Sequence, residues 1–240
     1  MAVESIEQGA ASREFWRGAR ASIAVVVASA PFGLLFGALA VQNGFSVGEA
    51  VLMSATVYGG ASQMVGVELF GQKVAPWMIV LSIFVVNSRH LLYSAVFGRR
   101  IKHWPVFQKA IAFFFLVDPQ FAESERKAEA GEPITFVWYI GMAIPICVFW
   151  ILDTLVGAMF GSLLSNAHAI GIDFLLPIYF LGMVMDFRER PYWLPIVLVS
   201  AVASIIAVKT VGSPWHVSIG AAAGILLAVI LNPGTQGQKA

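Results

Sequence analysis

The sequence predicts an all-α fold: a polytopic membrane helix bundle with about six to eight transmembrane segments, some of them short or broken. Composition is the first reason. Of 240 residues, 58% are hydrophobic and only 12% charged, with a mean hydropathy of +0.79, whereas a soluble domain carries about 25% charged residues. The second is length, since apolar segments follow one another at 21–42, 47–70, 74–97, 107–121, 134–160, 170–186, 193–208 and 215–231. The third is the placement of polar groups, several of which lie inside those segments rather than between them.

Residues 1–20 form a polar N-terminal segment, expected to fray. Arg13, Arg17 and Arg20, the apolar run from Ile23 to Val27 and Ala28-Ser29-Ala30 imitate a cleavable signal peptide. The apolar run nevertheless continues through PFGLLFGALAV, so 21–42 reads as a retained first span. The second segment is interrupted by TVYGGASQ at 56–63, where paired glycines weaken a helix. The third holds VVNSRHLLYSAVF at 85–97. The fourth is short for a ~30 Å hydrocarbon core and meets Asp118-Pro119; it reads as a tilted span, a half-helix or a re-entrant segment. ESERKAEAGEP follows as a long polar loop at the midpoint. Residues 21–231 read as a single transmembrane domain and 232–240 as a polar tail.

Lys and Arg are distributed unevenly. They precede the first segment, follow the third (Arg99, Arg100, Lys102), the fourth (Arg126, Lys127) and the sixth (Arg188, Arg190), and are absent from QNGFSVG and SNAHAIGID. The two uncharged loops should face outward and the N-terminus the cytoplasm. If the first three segments all cross, however, GRRIKH falls outside. The conflict disappears if one of the first four segments does not fully cross.

A weak internal repeat pairs PFGLLFGALA at 31–40 with LVGAMFGSLL at 155–164 and Glu49 with Asp173. It suggests repeat halves 21–121 and 134–231, as in many secondary transporters.

Three constellations carry the chemistry. On a helix, Asn87, His90 and Ser94 share one face, and Arg89 and Tyr93 another. Intramembrane ionisable groups usually face a bundle interior or wet cavity and mark substrate or ion pathways; the bland reading is a snorkelling Arg89 and a helix-contact His90. At Tyr58, Gly59, Gly60, Ser62 and Gln63 an unwound backbone would offer N–H and C=O groups to a ligand, or its small residues would serve helix packing. Asp118 can pair with Arg89, bind an ammonium group, take up a proton, or mark an interfacial helix end; Asp153, in FWILDTLVG, is a second acidic candidate.

Other chemistries find no support. There is no G-x-x-x-x-G-K-[ST], H-E-x-x-H or G-x-S-x-G motif. His103, His168 and His216 lack ligand spacing, so no metal or other cofactor is expected. The single cysteine, Cys147, cannot form an internal disulfide, and no basic cluster with interleaved aromatics suggests nucleic acid.

PFG at 31–33, GGASQ at 59–63, N-S-R-H-x-L-Y-S at 87–94 and VDPQFA at 117–122 follow one another as in the AzlC family of branched-chain amino acid permeases, which the chain resembles from about residue 14 to 231. The family's usual acidic motif reads T-D-E-x-F-A; here the Asp is kept and Thr and Glu are replaced. The resemblance implies a bacterial inner-membrane secondary transporter, not an enzyme. It would export valine, leucine, isoleucine or analogues, driven by protons, beside a small four-span AzlD-type subunit. On that reading Tyr58, Gly59, Gly60, Ser62, Gln63, Asn87, Arg89, His90 and Tyr93 bind substrate, and Asp118, His90 and Asp153 couple protons. The alternative is a channel, or a transporter for another small zwitterion or ion.

Overall fold

The computed structural model describes residues 2–161, 181–182, 184–185, 187–212 and 215–231. Most of the sixth apolar segment, with His168, Asp173 and the SNAHAIGID loop, lies outside the described residues, as does the tail. What is described is helical, without strands, and the chain divides into two compact units at residues 172/173.

In the first unit the helices are α1 (Ala2–Gln42), α2 (Val47–Val57), α3 (Gly60–Gly71), α4 (Pro76–Arg100), α5 (Val106–Phe114), α6 (Asp118–Glu129) and α7 (Phe136–Phe160). Of these, α4, α7 and the stretch Gly9–Gln42 of α1 are long and apolar enough to cross a membrane. The N-terminal segment is continuous with the first span. It is the start of α1, whose 41 residues reach ~61 Å, about twice the hydrocarbon thickness.

A seam of small residues joins α1 to α7. A Cβ at Gly18 would collide with the Trp138 carbonyl, at Gly37 with that of Thr154, at Gly141 with that of Phe15 and at Gly157 with that of Leu34. The contacts rise together in both sequences, so the two helices run parallel. Hydrophobic burial gives no drive between helices in lipid, and close backbone approach through small residues supplies dispersion instead. The sequence-related stretches at 31–40 and 155–161 therefore pack against each other.

The second apolar segment does not cross. Ser46 caps α2 in a capping box with Glu49, and the Ser46 backbone N–H and hydroxyl hold the Glu49 carboxyl below its ordinary range. The helix ends at Tyr58, which sits in the left-handed region at φ 44°. Gly59 caps α3, which returns alongside α2: Gln63 Nε2 donates to Ser54 Oγ at 3.0 Å, and the Phe45 and Phe70 rings lie 4.8 Å apart. A side chain at Gly71 would strike Asn43. Both ends of this hairpin thus lie beside the end of α1. Its tip sits beside Trp150, near the middle of α7, where a Cβ on Gly60 would come within 2.8 Å of the indole.

The fourth segment is a half-helix of 9 residues, and the polar loop expected after it is mostly a helix. Val117 is extended, Asp118 and Pro119 open α6, and proline is tolerated there because first-turn N–H groups have no partner within the helix. The second hairpin enters from the other end of the molecule. Arg100, closing α4, pairs with Glu125 of α6 at 3.0 Å, and Arg17 of α1 pairs with Glu132, just before α7, at 2.8 Å. Its tip, at Phe115–Val117, lies against the middle of α4 through Asp118.

The first unit therefore has three crossings and two opposed half-crossings. This removes the charge conflict: Arg13, Arg17, Arg20, Arg99, Arg100, Lys102, Arg126 and Lys127 collect at one end, and Lys73 lies at the other.

The second unit contains α8 (Trp193–Thr210) and α9 (Trp215–Leu231). They form an antiparallel pair around the turn at Gly212 (φ 87°). Ser200 Oγ donates to the Gly220 carbonyl at 2.8 Å and Ser204 Oγ to that of His216 at 3.1 Å. These match the last two segments read from the sequence.

Two outcomes are expected. Gly37→Ala forces α1 from α7 and costs about 1–3 kcal/mol, whereas Gly98→Ala, whose Cβ meets only Phe113 Cζ at 3.6 Å, leaves the thermal midpoint in detergent nearly unchanged. In a Cys147→Ser background, cysteines at 13 and 102 label from one side of intact cells with a membrane-impermeant maleimide, and a cysteine at 73 labels from the other. Labelling of 102 and 73 from the same side would contradict the half-crossing assignment.

Candidate functional site

The two hairpin tips meet beside the middles of α4 and α7. The Tyr58 ring stacks 6.2 Å from Phe114 and meets Phe115 edge-on at 5.7 Å. Backbone broken at this depth has no water to satisfy it, so protein groups must.

At the first tip they do. The Gly59 N–H donates to Gln63 Oε1 at 3.2 Å, and Ser62 Oγ to the Gly59 carbonyl at 2.8 Å. Gln63 Oε1 also accepts from Trp150 Nε1 at 3.2 Å. Ser54 Oγ lies 2.8 Å from Thr154 Oγ1, which donates to the Trp150 carbonyl at 2.9 Å. Ser54, Ser62, Gln63 and Thr154 are all buried. Of the residues read as substrate-binding, Ser62 and Gln63 are thus engaged in holding the break, and Gly60 lets the tip approach Trp150. Tyr58 is different: it is buried, and its hydroxyl has no hydrogen-bond partner among the described residues.

At the second tip, Arg89 Nη2 lies 3.0 Å from Asp118 Oδ2, with side chains 20% and 18% exposed. The Tyr93 hydroxyl donates to Asp118 Oδ1 at 2.8 Å, and its ring stacks on Phe121 at 4.4 Å. One helical face of α4 therefore grips the opening of α6, and Arg89 points to a carboxylate rather than snorkelling to an interface. On the neighbouring face His90 meets the Tyr93 ring edge-on at 5.6 Å. His90 thus touches the cluster through Tyr93, while the Asn87 side chain is only half-buried.

Asp153 stands apart from this cluster. It projects from α7 toward α1, where a Cβ on Gly33 would lie 2.7 Å from its own Cβ. Its Oδ2 is buried without a hydrogen-bond partner among the described residues.

Sequence reading missed Ser54, Thr154, Trp150, Gln120 and Tyr139. Gln120 Nε2 donates to the Tyr139 carbonyl at 2.9 Å, and the Tyr139 hydroxyl to the Ala112 carbonyl at 2.8 Å, so this pair ties the second hairpin to α7. Gln120 lay inside the quoted VDPQFA motif, a signal that could have found it; single Ser and Thr residues in apolar helices gave none. No group of His, Cys, Asp and Glu suited to a metal occurs among the described residues.

Comparison with known proteins gives a consistent family. The family model described as AzlC protein matches residues 24–164, which contain both hairpins and the whole cluster. The Escherichia coli inner membrane protein YgaZ is 29% identical over 91% of both chains. An uncharacterized membrane protein of Archaeoglobus fulgidus is 32% identical over 64% of this chain and 65% of its own. One from Helicobacter pylori is 28% identical over 74% of this chain and 79% of its own. No solved structure matches the chain.

The Arg89–Asp118 contact predicts non-additivity. Arg89→Gln and Asp118→Asn each lower the thermal midpoint by leaving a partly buried charge uncompensated. The double variant is more stable than the sum of the two losses, by about 0.5–3 kcal/mol. Additive losses would mean that the pair does not couple.

Proposed function

The chain belongs to the AzlC family and is a membrane transport protein, and we propose that it is a proton-coupled secondary transporter exporting branched-chain amino acids across the bacterial inner membrane. Valine, leucine, isoleucine or close analogues would be its substrates, and a small four-span AzlD-type membrane subunit its partner. The meeting of two opposed half-crossing hairpins at a charged cluster near mid-bilayer supports this reading above all. Secondary transporters place substrate and coupling-ion sites at that depth, on discontinuous helices.

The chemistry of the cluster suits a zwitterion. Separating Arg89 from Asp118 in a low-dielectric site strands two charges. An amino acid brings one of each sign, so its carboxylate meets Arg89 as its ammonium meets Asp118, and neither side chain is left uncompensated. The Tyr58 hydroxyl, Tyr93, His90 and Asn87 would orient those polar ends, with Gly59, Gly60, Ser62 and Gln63 holding the first tip in shape. Phe114, Phe115 and Phe121 offer apolar surface to an aliphatic side chain.

Protons need a group that can change charge without a permanent counter-ion. Asp153 fits best, with a buried carboxylate oxygen that no described residue bonds; Asp118 and His90, in the charged cluster apart from it, are the other two candidates. The basic end faces the cytoplasm by the positive-inside rule, which places the α1 N-terminus inside. The hairpin tips then act as opposed gates: α2–α3 toward the outside and α5–α6 toward the cytoplasm.

The test is flux of labelled valine in liposomes containing the chain and its small four-span partner. Arg89→Ala and Asp118→Asn are expected to lower stereoselective counterflow about 10–100-fold, the loss of a charge-assisted contact. Asp153→Asn is expected to leave counterflow but remove its response to a pH gradient. Wild-type flux in the first two variants would overturn the site, and flux that neither saturates nor distinguishes L- from D-leucine would indicate a channel.

A further inference from the structure

A second polar site lies away from the transport cluster, at the basic end of the first unit. A cavity of about 360 Å³ opens there between the middle of α1 at Arg17–Ala21, the end of α6 and the start of α7. Arg17, Arg20, Arg126 and Lys127 line it, against two carboxylates, Glu123 and Glu132.

The carboxylates are already committed. Glu132 Oε2 is shared by Lys127 Nζ at 2.7 Å and Arg17 Nη2 at 2.8 Å, and Arg126 is paired with Glu123. Lys127, and after it Arg17, hold the Glu132 carboxyl below its ordinary range, so it stays ionised at neutral pH. That leaves Arg20, which lines the same cavity and makes no ion pair among the described residues. The lining side chains carry a net excess of positive charge, and Arg20 is exposed.

The depth of the cavity is informative. Arg20 and Ala21 stand where α1 becomes continuously apolar, and Trp138 lies within the first turn of α7. Lys127 Nζ sits 5.1 Å over the Trp138 ring, and Trp16, one turn before Arg20, is 61% exposed. Aromatic residues and basic side chains mark the headgroup level of a bilayer. Basic pockets between membrane helices on the cytoplasmic side suit lipid phosphates, and guanidinium groups match phosphate oxygens two at a time.

From this geometry we propose that the cavity binds a phosphate group, supplied by the headgroup of an anionic phospholipid, with Arg20 as its principal ligand and Arg17, Lys127 and Arg126 completing the positive wall. The lipid would lock α1, α6 and α7 together at the mouth of the second hairpin. The site is independent of the transport reading, because none of its residues belongs to the midplane cluster.

The full-length chain in neutral detergent tests this, with phosphatidylglycerol, phosphatidylcholine and inorganic phosphate as probes. Thermal unfolding and native mass spectrometry are the readouts. Phosphatidylglycerol is expected to bind and raise the thermal midpoint, and phosphatidylcholine to do neither. Arg20→Gln should weaken phosphatidylglycerol binding about fivefold without lowering stability in its absence. Arg20→Lys should recover part of the affinity, and Lys73→Gln, at the opposite end, should change nothing. Equal binding of the two lipids, or an Arg20→Gln variant that behaves like Lys73→Gln, would overturn the site. Inorganic phosphate binding as tightly as phosphatidylglycerol would retain the anion site and overturn the lipid as its source.

Discussion

Hydrocarbon offers a backbone no hydrogen bonds, and the rest of the first unit is arranged around that constraint. A helix meets it alone, since its N–H and C=O groups pair within the segment. Two chain segments here stop halfway and turn back, and each turn must be satisfied by protein. At the first, Gln63 carries most of the load: its amide oxygen accepts from Gly59 and Trp150 while its nitrogen donates to Ser54. At the second, Asp118 opens a helix whose first-turn N–H groups favour negative charge, and Arg89 and Tyr93 compensate that charge from α4. Neither turn would survive facing lipid.

Half-crossings also determine which charges share a side. A hairpin returns the chain to the end it came from, so α1 and α7 run in the same direction even though only α4 crosses between them. Parallel neighbours can bring backbones together along their whole length if the contact residues are small, and glycines at 18, 37, 141 and 157 permit this. Glycine costs helix stability, but in a membrane the lost propensity is offset by dispersion contacts that lipid cannot supply as well. The α1–α7 seam is thus the rigid wall against which both tips are positioned.

Much of this was legible in the sequence wherever a residue type had few uses. Paired glycines in an apolar segment, with Tyr58 before and Ser62 and Gln63 after, could hardly mark anything but a break or a packing face, and the structure shows both. An Arg inside a span needs a counter-charge, and Asp118 was a natural partner. The direction of the chain after Gly60 was not legible, because a broken span and a re-entrant hairpin have the same hydropathy. The charge conflict around GRRIKH was the one sequence signal of it. The polar stretch from Glu123 to Glu129 has the hydropathy of a loop, yet it is helical. Its helicity comes from the Asp118-Pro119 start and from charge pairs such as Arg126 with Glu123 one turn away. Ser54 and Thr154 were invisible because their role exists only when α2 meets α7.

The contact between tips constrains how the molecule can work. Tyr58 lies against Phe114 and Phe115, so the tips of two hairpins that enter from opposite ends meet in an aromatic contact. The hairpins are tied unequally to the wall: the first through the Ser54–Gln63–Trp150–Thr154 network on α7, the second through Gln120 and Tyr139 on α7 and through Asp118 on α4. Withdrawing the second tip would part Asp118 from Arg89 and from the Tyr93 hydroxyl. The position of the second tip relative to α4 is therefore tied to one ion pair.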